Sequence, residues 1–351
     1  MQSLGRRLLF KDDLDRMFFG VGEEDWRFFT RKRLFVTGGS GFIGKWLLSA
    51  LLDARRRLEL GCDVVVLTRS AAQFVEAAPH IATAHGVTLC EGDVRSFAFP
   101  EGAFDVVVHC ATDIAAKTTP IDTFSACVDG TRRVLDLARQ AGAQDLLLTS
   151  SGAVYGTHPP LPHGLTEGHP GAPDPCSPAS AYGEGKRASE WLACAAAADG
   201  GPRVKIARIY AQVGPYLPLD KHFAIGNFIA DVLAGRDIII RGDGTPTRSY
   251  LYAADTTVWL WKMLVRGASG RAWNVGGDEG ISIAALAQRV GQLLGSEHGI
   301  KVLTPVDPSK AVECYVPDTS RARTELGVKQ TITLDDSIRL TANWIAGRHR
   351  Y

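Results

Sequence analysis

The chain has 351 residues, with 39 Lys and Arg against 38 Asp and Glu and a formal net charge of +1. So close a balance argues against nucleic acid as the main partner, because phosphate binding needs a concentrated basic face. With 45% hydrophobic residues and 37 Gly, disordered, collagen-like and disulfide-scaffold classes are excluded, and the length allows two domains.

The seven cysteines (62, 90, 110, 127, 176, 194 and 314) are scattered and form no C-x-x-C. They read as reduced thiols of a cytoplasmic protein. No apolar run approaches the ~18 residues of a membrane span. The N-terminal MQSLGRRLLFKDDLDR turns acidic where a signal peptide would be apolar. A soluble chain with no membrane partner is expected.

Residues 1–31 mix charges with Phe18, Phe19, Trp26, Phe28 and Phe29; one or two short helices packed on the main body are expected, with a subunit contact as the alternative. From residue 33 short Val- and Leu-rich runs alternate with helical spacing. Arg33–Thr37, Val64–Thr68, Val87–Cys90, Val106–Cys110 and Leu146–Thr149 read as strands buried on both faces. Ile43–Leu52 and Gly130–Gln140 read as helices between them. This alternation predicts an α/β fold, a Rossmann-type doubly wound parallel sheet. The proline-rich 157–178 is expected to be a long surface loop. Ser282 is placed to cap a helix with Ile283, Leu286, Val290, Leu293 and Leu294 on one face.

The first strand runs directly into Thr37-Gly38-Gly39-Ser40-Gly41-Phe42-Ile43-Gly44. Residues 39–44 satisfy G-x-G-x-x-G. Glycine here permits a sharp turn and lets a pyrophosphate approach the free N–H groups of a helix start. The acidic residue that usually follows the second strand is missing: Asp63 precedes it, at the wrong edge. Thr68-Arg69-Ser70 leaves the strand instead, and a guanidinium between two hydroxyls suits a 2′-phosphate better than a bare ribose. The pattern therefore predicts NAD(P), leaning to NADP. Asp93, followed by Val94, ends the third strand within reach of the adenine. The fourth strand ends in His109-Cys110-Ala111-Thr112, where small residues let a cofactor lie flat. His109 reads as a packed core histidine.

The fifth strand runs into Thr149-Ser150-Ser151-Gly152-Ala153-Val154-Tyr155-Gly156, and Tyr182-Gly183-Glu184-Gly185-Lys186 opens an Ala-rich helix. Tyr and Lys four apart share a helix face. An ammonium near a phenol is expected to lower its pKa from ~10 toward neutrality, making Tyr182 a usable acid/base.

On TGGSGFIG (37–44), EGDV (91–94), SSGAVYG (150–156), YGEGK (182–186), ARIYAQVGP (207–215), GDGTPTRSYLYAAD (242–255) and WNVGG (273–277), the chain resembles the extended short-chain dehydrogenases/reductases, in their nucleotide-sugar epimerase/dehydratase branch. The resemblance implies an N-terminal extension (1–31) and a dinucleotide domain (32–212, with 250–268 returning). A smaller α/β substrate domain would comprise 213–249 and 269–351. It implies Ser151, Tyr182 and Lys186 as the catalytic trio, with Lys186 also holding the nicotinamide ribose. Gly38, Gly41, Phe42, Ile43, Gly44, Thr68, Arg69, Asp93, Val94 and Ala111 become cofactor contacts. Ser151, Asn227, Arg248 and Arg321 become contacts to a nucleotide-diphosphate sugar, and a homodimer is expected.

Departures from the family narrow the chemistry. Dehydratases follow the catalytic hydroxyl with Asp-Glu, and decarboxylases usually keep the Glu; here Gly152-Ala153 stands there. Hydride transfer at a sugar carbon, most simply C4, remains, by an epimerase or a 4-ketoreductase. Cys127 and Ala211 replace two usual Asn. Glu184 and Glu167, both read as solvent-exposed, are the carboxylates able to serve a dehydratase or decarboxylase with a displaced acid/base. His158, His163 and His169 lack partners at ligand spacing, so no metal is expected. A non-catalytic dinucleotide sensor would have no use for an activated phenol.

Overall fold

The computed structural model describes residues 7–112, 118–158, 160–161, 164–219, 223–309 and 311–347; His163 lies outside them. The strands, in chain order, are β1 (Arg33–Thr37), β2 (Asp63–Thr68), β3 (Val87–Glu91), β4 (Val106–His109), β5 (Asp145–Ser151), β6 (Arg203–Ile209) and β7 (Ala211–Val213). They continue with β8 (Ile238–Ile240), β9 (Thr247–Tyr252), β10 (Arg271–Val275), β11 (Gly280–Ser282), β12 (Ile300–Val302) and β13 (Cys314–Tyr315).

Seven of these form one sheet in the order β10-β6-β5-β4-β1-β2-β3, and every pairing in it is parallel. The order reverses at β1 and β4, where a doubly wound sheet opens a crevice beyond its strand ends. All four residues of β4 and all seven of β5 are buried, as expected for strands covered on both faces. The five strands read from the sequence are all present. Two more were not read: β6, and β10, which comes from the stretch assigned to the substrate domain. A smaller sheet pairs β11, β9 and β13, with β7 beside β9.

β6 escapes hydrophobic patterning because it holds Arg203, Lys205 and Arg208, although Lys205 is buried. Asp145, the first residue of β5, balances two of these cations: it accepts from Arg203 Nε at 2.9 Å and Nη2 at 2.6 Å, and bonds Lys205 Nζ. A buried pair broken on one side costs about 3–5 kcal/mol, so Asp145 helps set the β5–β6 register.

The N-terminal extension forms two helices, Lys11–Val21 and Glu23–Arg27. Met17, Trp26 and Phe29 are fully buried, and Trp26 and Phe29 pack on Trp261. At about 1.5–3 kcal/mol per large apolar side chain, this segment is part of the core. Asp13 accepts from Tyr252 at 2.9 Å and Asp25 from Arg266 at 2.8 Å.

The 157–178 stretch departs from a simple surface loop. Leu165 is fully buried and bridges to Pro317, with its N–H donating to Val316 O and its carbonyl accepting from Asp318 N. The Ser282 cap forms as read, accepting from Ala285 N at 3.1 Å on the helix Ile283–Leu294.

Candidate functional site

From β1 the turn Gly38–Gly41 enters the helix Phe42–Leu58. Gly38 has φ +71°, and a Cβ there would lie 2.6 Å from the carbonyl carbon of Cys110; one on Gly44 would lie 2.2 Å from Gly38 O. Only glycine lets the turn lie this close to the chain leaving β4. A crevice of about 600 Å³ opens here. Gly38, Gly41, Phe42 and Ala111 line one part of it, and Thr68, Arg69, Asp93 and Val94 another. Ile43 and Gly44 do not line it: Gly44 is buried under the turn, and Ile43 packs toward the core.

At the β2 end the two hydroxyls beside Arg69 have structural work. Ser70 caps the helix Ala71–Ala77, accepting from Gln73 N at 3.3 Å, and Thr68 Oγ1 donates to Ser70 O at 3.2 Å. Arg69 remains the cationic wall. Asp93 lines the crevice with its carboxylate already clamped by Arg95, Nε to Oδ1 at 2.8 Å and Nη2 to Oδ2 at 2.9 Å. Those hydrogen bonds hold its pKa below the ordinary carboxylate value.

His109 is the packed histidine expected. Its ring lies between Thr37 Oγ1, 2.7 Å from Nδ1, and Thr131 Oγ1, 3.2 Å from Nε2. Burial, helped by the Lys186 charge, lowers its pKa to about 3. Thr37 Oγ1 also accepts from Ala111 N at 3.1 Å, so this neutral ring ties the glycine turn's strand to the crevice floor.

The helix Ala181–Ala198 brings Tyr182 and Lys186 to one face, with Nζ 5.8 Å from the phenol ring centroid. Lys186 is 4% exposed, and Nζ donates to Thr112 Oγ1 and to Thr149 O, both at 2.7 Å. Burial lowers its pKa. Tyr182 departs from expectation. Burial, reinforced by the nearby Tyr315 phenol, raises its pKa, while a hydrogen bond to Ser151 pulls the other way. The ammonium is spent on Thr112 and Thr149, so within the chain desolvation wins.

Ser151 Oγ is the meeting point. It accepts from Ala153 N and lies 3.1 Å from Tyr315 Oη. Tyr315 packs against Tyr210, with ring centroids 4.4 Å apart and the planes tilted by 37°. A Cβ on Gly152 would sit 2.6 Å from Tyr210 Cζ. Two aromatic rings therefore occupy the space beside Gly152-Ala153, and a side chain at 152 has no room without moving one of them. Tyr315 carries no local sequence signal, because it comes from a two-residue strand far along the chain.

Beneath the strand end lies a buried polar chain. Ser150 Oγ donates to Glu190 at 2.5 Å, and Arg208 grips the same carboxylate with Nη2 to Oε2 at 2.6 Å. Arg208 also donates to Tyr155 Oη at 2.9 Å, and Tyr155 donates to Asn274 at 2.8 Å. Glu167, expected to be exposed, joins this chain. Its side chain is 4% exposed and accepts from Asn274 N at 2.8 Å. Its carboxylate thus braces a strand and is not at hand for proton transfer. Glu184 is half-buried.

Of the substrate candidates, Asn227 lies half-buried on the helix Ala224–Leu233. Arg248 pairs with Glu313 at 2.8 Å and sits 5.5 Å from the Tyr315 ring centroid. Arg321 is drawn elsewhere: it donates to Ala272 O at 2.9 Å and faces Glu167 at 3.4 Å, bracing the sheet edge. Cys127 is buried, and its neighbour Gly185 gives the helices Pro120–Gln140 and Ala181–Ala198 close approach: a Cβ there would be 2.8 Å from Cys127 Cβ. Ala211 pairs with Tyr250 across β7 and β9. Among the described residues no group of three or more His, Cys, Asp or Glu is placed to hold a metal, and no helix is long and apolar enough to cross a membrane.

A doubly wound parallel sheet with a glycine turn after its first strand and a crevice over that turn defines a dinucleotide-dependent enzyme of the short-chain dehydrogenase/reductase class; Lys186 reaches the crevice wall through Thr112, while Ser151 and Tyr182 do not line it. The chain belongs to the NAD dependent epimerase/dehydratase family, whose model matches residues 34–276. It is 32% identical over 318 residues to UDP-glucuronic acid decarboxylase 6 of Arabidopsis thaliana, covering 89% of this chain and 88% of that protein. Two solved structures share its fold. UDP-glucose 4-epimerase of Thermotoga maritima, with UDP-glucose, has a TM-score of 0.74 and 20% identity, covering 90% of this chain and 99% of that one. The dTDP-glucose 4,6-dehydratase of Bacillus anthracis, in complex with NAD, has a TM-score of 0.74 and 20% identity, covering 90% and 97%. The turn at Gly38 and Gly44, which no Cβ could enter, fits the pyrophosphate of such a cofactor.

Proposed function

We propose that this enzyme moves a hydride at one carbon of a nucleotide-diphosphate sugar, C4, without expelling water or carbon dioxide, as an epimerase or a 4-ketoreductase. The lack of a carboxylate at Gly152-Ala153, with the Tyr210 ring filling the space that a side chain at 152 would need, carries this reading.

Bound in the crevice, a nicotinamide supplies the hydride acceptor or donor. Tyr182 holds the proton that leaves or joins the sugar oxygen. Ser151, hydrogen-bonded to Tyr182, orients that oxygen. Lys186 has two of its three donors fixed on Thr112 and Thr149 and turns the third to the nicotinamide ribose. Arg248 and Asn227 take the diphosphate and nucleotide. With its pKa raised by desolvation, the Tyr182 phenol is a proton donor at neutral pH, which favours the reductive direction. Arg69, a guanidinium in the crevice wall, suits a 2′-phosphate and favours NADP.

A second reading, decarboxylation of a sugar acid, is favoured by the 32% identity to a UDP-glucuronic acid decarboxylase; it needs a proton-handling group other than residue 153. Exposed Ile121, Phe124 and Trp191 on the helices Pro120–Gln140 and Ala181–Ala198 support a homodimer packed through that pair; a monomer by sedimentation would end that reading. The seven free cysteines support a cytoplasmic location, which cell fractionation checks.

The deciding experiment denatures the purified protein, identifies any released dinucleotide by mass, and then incubates fresh protein with UDP-glucose, UDP-galactose, UDP-glucuronic acid or a UDP-4-keto sugar plus NADPH. Retained NAD with interconversion of the first two supports epimerisation, and NADPH oxidation by the keto sugar supports reduction. Release of carbon dioxide from UDP-glucuronic acid would replace the proposal with the second reading.

A further inference from the structure

Between β7 and the helix Ala224–Leu233 the chain passes through Gly214–Pro218, and Pro218 forms part of the crevice wall with Phe42. In the middle of that passage Tyr216 is held at φ +68°, a left-handed conformation that is costly for an aromatic residue and persists only where the surroundings over-determine it. They do so here. Its hydroxyl donates to Arg7 O at 2.7 Å and lies 3.0 Å from His80 Nε2. Its ring meets Trp344 edge-on, centroids 4.8 Å apart, and Lys45 Nζ stands 5.2 Å from its centre.

The flanking residues are tied as well. Trp46 Nε1 donates to Pro215 O at 2.8 Å, and a Cβ on Gly226 would lie 2.9 Å from Pro218 O. Lys45 and Trp46 belong to the helix that begins at the glycine turn, so the strained residue is locked to the element that receives the pyrophosphate. Arg7, its other anchor, reaches Trp344 O at 2.5 Å and Ile345 O at 2.7 Å, and Trp344 Nε1 returns a bond to Leu8 O at 2.9 Å. Arg7 and Leu8 precede the part of the chain that the family model matches, residues 34–276.

We infer that Tyr216 is a positioning residue for dinucleotide binding, held in its strained conformation by the N-terminal segment so that Pro218 stays against the crevice. The inference rests on reading that crevice as the dinucleotide site. An anchor from outside the stretch that the family model matches thereby sets the width of the binding cleft.

The test measures NADH and NADPH binding by calorimetry on the full chain, with hydrogen exchange over residues 214–219 and thermal melting. Tyr216→Phe removes the hydroxyl's bonds and keeps the ring; it should weaken both dinucleotides about three- to thirtyfold and speed exchange over 214–219. Asp25→Asn loosens the same extension at its distant contact with Arg266. It should lower the melting temperature and leave both dinucleotide affinities within about twofold. Unchanged affinity and exchange in Tyr216→Phe, with wild-type protein binding normally, would overturn this inference alone. Equal weakening by Asp25→Asn would also overturn it, reducing the role to general stability. Wild-type protein that takes up neither dinucleotide would sink the crevice assignment and this inference with it.

Discussion

Tyr315 presents its hydroxyl 3.1 Å from the Oγ of Ser151, joining two residues 164 positions apart in the chain. Its phenol is half-buried, with a pKa pushed up to about 12 by desolvation, so it remains a neutral hydrogen-bonding group at working pH. Ser151 is therefore oriented from both sides, by Tyr182 and by Tyr315.

Replacing Tyr315 by Phe keeps the packing against Tyr210 and deletes the bond to Ser151. One neutral hydrogen bond is worth about 0.5–1.5 kcal/mol, so kcat should fall roughly two- to tenfold with dinucleotide affinity unchanged. Steady-state kinetics beside NADH titration read this. A wild-type kcat would show that Ser151 needs no second partner.

Tyr182→Phe should leave dinucleotide binding intact and lower turnover by about 10²–10⁴-fold, the range for a lost acid/base. The pH dependence has a defined sign. Burial raises the phenol's pKa, so the proton-donating form persists through neutrality: reduction should be flat between about pH 6 and 8, and oxidation of the sugar alcohol should quicken as pH rises. Rates of the two directions across that range check it. An oxidation rate that falls with rising pH would remove Tyr182 as the base.

Arg69→Ala should weaken NADPH by about 10- to 100-fold, the scale of a charge-assisted bond to phosphate, and NADH by less than about threefold. Competitive titration of the two dinucleotides distinguishes them. Equal losses would mean that the guanidinium reads something common to both.

His109 is neutral in the folded protein, with a pKa near 3 against about 6.5 when unfolded. Between those values the unfolded chain binds the extra proton, so stability falls as pH drops from about 6.5 toward 3, by up to about 4–5 kcal/mol. His109→Gln can still bond Thr37 and Thr131 but cannot titrate. Urea unfolding at pH 7, 5 and 4 should therefore give a flatter pH dependence for the variant. Parallel curves for the two proteins would contradict a buried neutral imidazole.

The apolar half of the architecture was legible in the residues. Val64–Thr68 and Val106–Cys110 read as strands because Val and Leu dominate them, and Thr37–Gly44 marks its turn by glycines, of which Gly38 and Gly44 leave no room for a Cβ against backbone. What was hidden is polar and long-range. β6 shows three cations to any hydrophobicity count; their balance by Asp145 and Glu190 exists only after β5 and the helix Ala181–Ala198 have assembled. The expected activation of Tyr182 by Lys186 failed for a related reason, since spacing along a helix predicts nearness but not what else competes for an ammonium. Arg321 and Glu167 were each taken singly, and the fold joins them to one another.

The sheet takes its outermost strand, β10, from residues 271–275, after the chain has left it to lay down β7 to β9. Severing the polypeptide near residue 212 would consequently strip β6 of its neighbour and leave a bare row of amides and carbonyls prone to self-association. Two separately expressed halves should stay insoluble apart and recover solubility when produced together.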